Sequence, residues 1–319
     1  MDQSAIQFIA LSIVIALAVD WFYGEPPNYL HPVIAMGVFL NWAAVNFAPT
    51  YAEKCFKRSS LYFLKGTLLW TLGAIITIAT VGCFVWIFNS FNFYLDSFLT
   101  GIILSSLLSW RMLRNEVLAV SFALDDSLDC GREQVSRLVS RNVELLTVIQ
   151  VRESAIETLS ENLNDSVIAP LFWFIIGGLP AAALYRFTNT ADAMWGYRST
   201  RNGFYWEWFG KFAAKVDDVL SWIPAVLTAL LIFFIGRIFR FRALLNESRK
   251  TPSPNGGWPM GAMALVLGLK LSKSGVYELN PSGRVPNAGD IKAACHIGNK
   301  IILLISLICC LLLIEVLFE

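Results

Sequence analysis

Four carboxylates recur at every fourth position in one short stretch: Glu153, Glu157, Glu161 and Asp165. On an α-helix each step of four residues drifts by about 40°, so these acids share one broad face. Ser160, Asn162 and Asn164 add polar atoms beside them, and residues 167–178 that follow are almost entirely apolar. Carboxylates at the mouth of an apolar run suit Mg²⁺ coordination or general-base proton transfer. The bland alternative is a solvated helix face, or acids paired with Arg141 and Arg152. A row of acids leading into lipid is costly unless it is paired or used.

Other polar stretches also stand at apolar boundaries. NTADAMWGYRSTR brings Asp192, Tyr197, Arg198 and Arg201 close together in sequence. Asp217 and Asp218 open a further apolar segment, and there a helix dipole alone would favour acids. In SPNGGWPMGAM, Asn255, Gly256, Gly257 and Trp258 precede Pro259. This reads as a tight turn whose backbone N–H groups suit an anion, or else as a plain loop. RVPNAGDI contributes Arg284 and Asp290. His31 before Pro32 reads as a turn residue, and several tryptophans, Trp258 among them, suit anchoring at a membrane interface.

The elements that must hold these groups are apolar helices. Of 319 residues 56% are hydrophobic and 15% charged, and mean hydropathy is +0.57. That places the chain among all-α polytopic membrane proteins, with about five or six apolar segments. A net charge of +1 offers no electrostatic case for nucleic acid. The six cysteines show no metal-ligand spacing. The chain contains no Walker A sequence, Rossmann glycine fingerprint, HExxH or Gly-x-Ser-x-Gly.

Apolar runs are expected at residues 6–19, 66–88, 98–110, 166–185, 219–236 and 301–318. The first lacks a basic flank and cleavage site, and reads as a retained span rather than a signal peptide. Residues 41–56 suggest an interfacial helix. Pro170, Pro180, Gly177 and Gly178 predict a broken fourth segment. Residues 111–165 read as two or three amphipathic helices with a break at Asp129–Gly131, the last running from 143 to 164. Arginine placement puts 111–165 in the cytoplasm and 89–97 outside. The whole chain, 1–319, reads as one membrane domain with 111–165 as a cytoplasmic helical insertion. The basic residues of 186–218 conflict with a simple crossing pattern.

Taken in order, DWFYGEPPNYLHPV, ESAIETLSENLNDSVIAPLFW, NTADAMWGYR, KVDDVLSWIPAVLTALL and SPNGGWPMGAMALVLG resemble the CobD/CbiB family of cobalamin biosynthesis. The resemblance runs through nearly the whole chain. It implies an adenosylcobinamide-phosphate synthase, a polytopic enzyme of the cytoplasmic membrane with its site facing the cytoplasm. Such an enzyme joins aminopropanol or its phosphate to the propionate carboxylate of adenosylcobyric acid, with ATP and Mg²⁺. Other late cobalamin-assembly membrane enzymes are implied as partners. Two places depart from the family pattern: Val139-Ser140-Arg141-Asn142 stands for a Val-Gly-Arg-Asp turn, and Glu161 to Ser166 for Glu-Asn-Thr-Val-Asp-Gly.

Amide formation from a carboxylate at neutral pH requires activation, for which an acyl phosphate serves. That chemistry needs hard oxygen ligands for Mg²⁺, cations for phosphate and a base for the incoming ammonium. Glu157, Glu161, Asp192 and Asp217 are the candidate catalytic acids, and Asp165 and Asp218 the candidate metal ligands. Arg141, Asn162, Tyr197, Arg198, Arg201, Asn255, Gly256, Gly257 and Trp258 are the candidate substrate- and phosphate-binding residues. The four stretches are expected to converge on one cavity. Two other classes fit the same residues: a corrinoid-binding membrane protein or transporter, and a non-catalytic sensor on the same fold.

Overall fold

A computed structural model describes residues 3–50 and 58–315. In chain order the helices are α1 (Gln3–Phe22), α2 (Pro32–Phe47), α3 (Ser59–Phe88), α4 (Phe93–Ser105), α5 (Trp110–Asp126), α6 (Leu128–Ser136), α7 (Val148–Leu163), α8 (Ala169–Trp195), α9 (Lys211–Gly236), α10 (Phe241–Ser248), α11 (Gly257–Leu267) and α12 (Asp290–Glu315). A π-helical turn, Asn164–Ile168, joins α7 to α8. Two small antiparallel hairpins pair β1 (Thr200–Arg201) with β2 (Phe204–Tyr205), and β3 (Leu271–Lys273) with β4 (Tyr277–Leu279).

Among the described residues six helical stretches are long and apolar enough to cross a membrane: Gln3–Phe22, Ser59–Phe88, Phe93–Asp126, Val148–Trp195, Lys211–Gly236 and Asp290–Ile314. The chain is an all-α polytopic membrane protein. Trp86 on α3 and Leu303 and Leu307 on α12 expose apolar surface, as lipid-facing side chains do. The first span is longer than its apolar run, because Trp21 and Phe22 continue the helix.

The described residues fall into two compact units. One comprises Met1–Leu108, Ala169–Leu220 and Leu312–Glu319. In it α1 packs along α4, and α2 and α3 pack on α8. Glycines mark the closest approaches. A Cβ at Gly101 would lie 2.7 Å from Ile15, and one at Gly73 would lie 2.3 Å from the Phe187 ring. Small residues at helix interfaces allow such packing where lipid supplies no hydrophobic drive. α8 breaks as its glycines and proline predict: Gly177 and Gly178 are non-helical, and Gly178 has φ +67°. The helix expected over 41–56 instead begins at Pro32 and ends at Phe47. Proline is preorganised for a first helical position, and His31 Nδ1 accepts from Val33 N–H at 3.3 Å. Residues 51–56 of that expected helix lie outside the described residues.

The second unit comprises Ser109–Ile168 and Ser221–Leu311. α5 packs on α6 and α7, and α7 packs on α11 and β3. Trp110 is buried, its indole N–H donating to Asn299 Oδ1 at 3.1 Å, and Gly298 makes room for its ring. The break expected at Asp129–Gly131 falls at Ser127 instead. Ser127 caps α6 by accepting from Cys130 N–H at 3.1 Å. Gly131 sits inside α6, where a Cβ would lie 2.3 Å from Leu124; this glycine serves close packing, not a turn. The helix expected from 143 begins at Val148, because Thr147 and Gln150 form a reciprocal capping box.

Candidate active site

α7 carries Glu153, Glu157 and Glu161 along one face as their spacing predicts, but the first two do not face solvent. Glu153 is 1% exposed and Glu157 5%. The solvated-face alternative therefore fails for these two, while pairing with Arg141 holds in part. Arg141 Nη2 lies 3.5 Å from Glu157 Oε2, beyond the usual N–H···O hydrogen-bond length, and the same guanidinium donates to Ser154 Oγ. Glu157 Oε1 is buried with no hydrogen-bond partner among the described residues. Buried carboxylate oxygens are rarely left so.

The β3–β4 hairpin closes this face. Ser272 Oγ donates to both oxygens of Glu153, at 3.2 and 3.1 Å. Arg141, Glu157, Glu161, Asn162, Lys273 and Tyr277 line one cleft of about 150 Å³. The Tyr277 hydroxyl reaches Met260 Sδ at 3.8 Å. Burial first, then the charges of Glu157 and Glu161, pushes its pKa far above the ordinary tyrosine range. Tyr277 therefore stays a proton-bearing donor at any working pH. The start of α11 completes the surroundings: a Cβ at Gly256 would lie 3.0 Å from Glu161 Oε1. The turn expected at 255–257 is the entry to this helix. Gly256 N–H donates to Ser253 Oγ at 3.4 Å, and Trp258 N–H to the Asn255 carbonyl at 3.1 Å. Gly257 is fixed by close packing against the Ser248 carbonyl.

Several candidates lie elsewhere. Trp258 lines a separate cavity of about 540 Å³ with Trp222 and Arg249. Asp165 sits in the π turn, where it accepts from Asn164 Nδ2 at 2.8 Å, and Asn164 Oδ1 accepts from Thr228 Oγ1 at 3.1 Å. Asp192, Tyr197, Arg198, Arg201, Asp217 and Asp218 belong to the first unit. There Asp217 is buried and accepts from Asn189 Nδ2 at 3.4 Å. Asp192 and Asp218 are half-buried and Arg198 is exposed. Arg284 and Asp290 hold each other through two hydrogen bonds of 2.6 and 2.7 Å, which leaves them a structural role. The spacing of chemical groups in the sequence does not single out Ser272, Lys273 and Tyr277. Their signal was present in Ser274-Gly275 between short alternating runs, a hairpin cue; Gly275 has φ +71°.

The family model described as CobD/Cbib protein matches residues 13–302. The chain belongs to the CobD/CbiB family. It is 38% identical over 276 residues to the probable cobalamin biosynthesis protein CobD of Methanothermobacter thermautotrophicus, covering 84% of this chain and 85% of that one. It is 35% identical over 317 residues to the cobalamin biosynthesis protein CobD of Brucella anthropi, covering 92% of each. The probable cobalamin biosynthesis protein CobD of Thermococcus kodakarensis is 38% identical over 294 residues, covering 89% of each. No solved structure matches the chain. Family membership puts the chain in cobalamin biosynthesis.

Proposed function

We propose that this CobD/CbiB family member is an amide-forming ligase acting on a corrinoid. It would join the propionate carboxylate of adenosylcobyric acid to aminopropanol or aminopropanol phosphate, at the cytoplasmic face of the cell membrane. One observation carries the reading. Glu157 lines a cleft with one oxygen beside Arg141 and the other buried without a hydrogen-bond partner among the described residues. An acid so arranged suits taking a proton from an incoming ammonium.

The other groups of the cleft fit the rest of the task. Arg141 and Lys273 suit an anionic carboxylate or phosphoryl group, which a guanidinium and an ammonium bind strongly. Tyr277, kept protonated, is a donor for charge that develops on oxygen. Asn162 offers both a donor and an acceptor. When bound, ATP with Mg²⁺ would supply activation of the carboxylate. Among the described residues no three acids, histidines or cysteines gather to hold a metal alone. A nucleotide-borne Mg²⁺ needs only one or two carboxylates, and Glu161, which lines the same cleft, fits that demand. The cleft is too small for a corrin ring, so it would receive only the reacting arm.

A second reading, a corrinoid-binding protein or transporter, is favoured by one feature. A cavity of about 730 Å³ adjoins the Gly177–Gly178 break in α8. Purified protein given adenosylcobyric acid, ATP, Mg²⁺ and each amine decides between them. The ligase reading expects amide product by mass, with ATP consumed in step, and loss of both when Mg²⁺ is chelated. Corrinoid binding without ATP consumption would overturn it.

A further inference from the structure

The cavity of about 730 Å³ beside the α8 break lies within the first unit, between α1, α3, α4 and α8. Its walls are mostly apolar, with Phe8, Ile9, Val85, Phe93, Phe174 and Ile175 among them. Asp96 is its only charged lining residue. Asp96 Oδ1 accepts from Thr100 Oγ1 at 3.2 Å, and Asp96 is in no ion pair among the described residues. An acid in the first turn of a helix is favoured by the dipole of that helix. The dipole of α4 accounts for Asp96 alone, and the cavity has a second negative element.

The break in α8 supplies it. The first half of the helix ends at Gly177, where its last carbonyls carry the negative end of a helix dipole. Pro180 has no N–H, so the Ile176 carbonyl lacks the donor that a continuous helix would give it. Ile176, Gly177, Gly178 and Pro180 all line the cavity. Non-helical backbone at membrane depth is tolerated where it lines a cavity, and the C-terminal end of a half-helix attracts cations. A carboxylate and a helix end thus border one space that no basic residue lines. A bare divalent cation suits it poorly, because such ions take about six or more oxygen ligands and most of this wall is carbon.

We infer that this cavity holds a phospholipid whose head group is a primary ammonium. Trp86 and Tyr94, next in sequence to the lining residues Val85 and Phe93, are strongly exposed, as aromatic anchors at head-group depth are. The ammonium would donate to Asp96 in a charge-assisted hydrogen bond. Asn89 offers an amide donor to the lipid phosphate, and the apolar walls cover the upper part of an acyl chain. A three-carbon amine would leave those walls wet, and the carboxylate of adenosylcobyric acid would meet Asp96 with like charge. The inference does not rest on the ligation reading above.

Native mass spectrometry of the full chain tests it, with the protein released from bilayers of phosphatidylethanolamine, phosphatidylglycerol and phosphatidylcholine in equal parts. The wild-type chain is expected to retain one phosphatidylethanolamine, preferred at least about tenfold over either other lipid, as a charge-assisted hydrogen bond gives. Phosphatidylcholine is cationic at its head but has no N–H to donate. Asp96→Asn still accepts from Thr100 and should lose the preference, and Asp96→Glu should keep part of it. Equal retention of the three lipids by the wild-type chain, or an undiminished preference in Asp96→Asn, would show the inference to be wrong. Added 1-aminopropan-2-ol should leave the lipid in place; displacement of the lipid by it would make this a soluble-amine site and overturn the lipid assignment. The wild-type arm decides even if the variants misfold.

Discussion

Two charge clusters in the same unit differ in how completely they are satisfied. At the start of α12, Asp290 accepts two hydrogen bonds from Arg284 and a third from Asn287 N–H at 2.6 Å. On α7, Glu157 has an ion-pair distance of 3.5 Å to Arg141 on one oxygen and the Tyr277 hydroxyl nearby, while its Oε1 makes no hydrogen bond of ordinary length among the described residues. Both acids are nearly inaccessible. The first cluster commits both carboxylate oxygens of Asp290 to the fold. The second keeps capacity in reserve beside a cleft, at a cost to stability that only a ligand or substrate would offset.

Substitutions can break or sharpen that contrast. The largest expected effect is Glu157→Gln, which should lower amide formation by at least about 100-fold, the usual worth of a general base. The amide keeps the side chain's shape in the buried site, so melting temperature should stay near that of the wild type; a fall with retained turnover would make Glu157 structural. Lys273→Ala should raise KM for the anionic substrate about 10- to 100-fold, as loss of a charge-assisted contact does. An unchanged KM would remove Lys273 from the site. Tyr277→Phe should cost about three- to tenfold in kcat. Because burial and two nearby carboxylates keep the Tyr277 proton in place, that factor should be constant between about pH 6 and pH 9. A loss that vanishes toward alkaline pH would show the hydroxyl titrating in the working range. The smallest effect on turnover belongs to Asp290→Ala. It should lower stability by about 1–3 kcal/mol, read by denaturant or thermal melts, while turnover of the folded fraction stays within about twofold.

Much of this was legible in the sequence. Apolar runs of spanning length need no tertiary context, so the membrane helices read directly. The four-residue period put Glu153, Glu157 and Glu161 on one face of α7, and Gly177 and Gly178 marked the break in α8. What failed to read depended on distant partners. Burial of the acid row comes from β3–β4, whose strands are too short to announce themselves by alternation. Gly131 and Gly256 look like turn residues in a linear reading, yet Gly131 admits Leu124 and Gly256 admits Glu161. The Asn202-Gly203 hairpin was readable by its turn chemistry but was obscured by the neighbouring charges. Lys273 and Tyr277 lie more than a hundred residues from α7, a separation no local pattern spans.

The most direct measurement is the rate of amide product formation, read by mass, for Glu157→Gln and Asp290→Ala side by side with the wild-type chain. Each protein is first shown to be folded and membrane-inserted. The account predicts a loss of at least about 100-fold for Glu157→Gln and near-normal turnover for Asp290→Ala. Near-normal turnover for Glu157→Gln, or an equal loss in both, would contradict it.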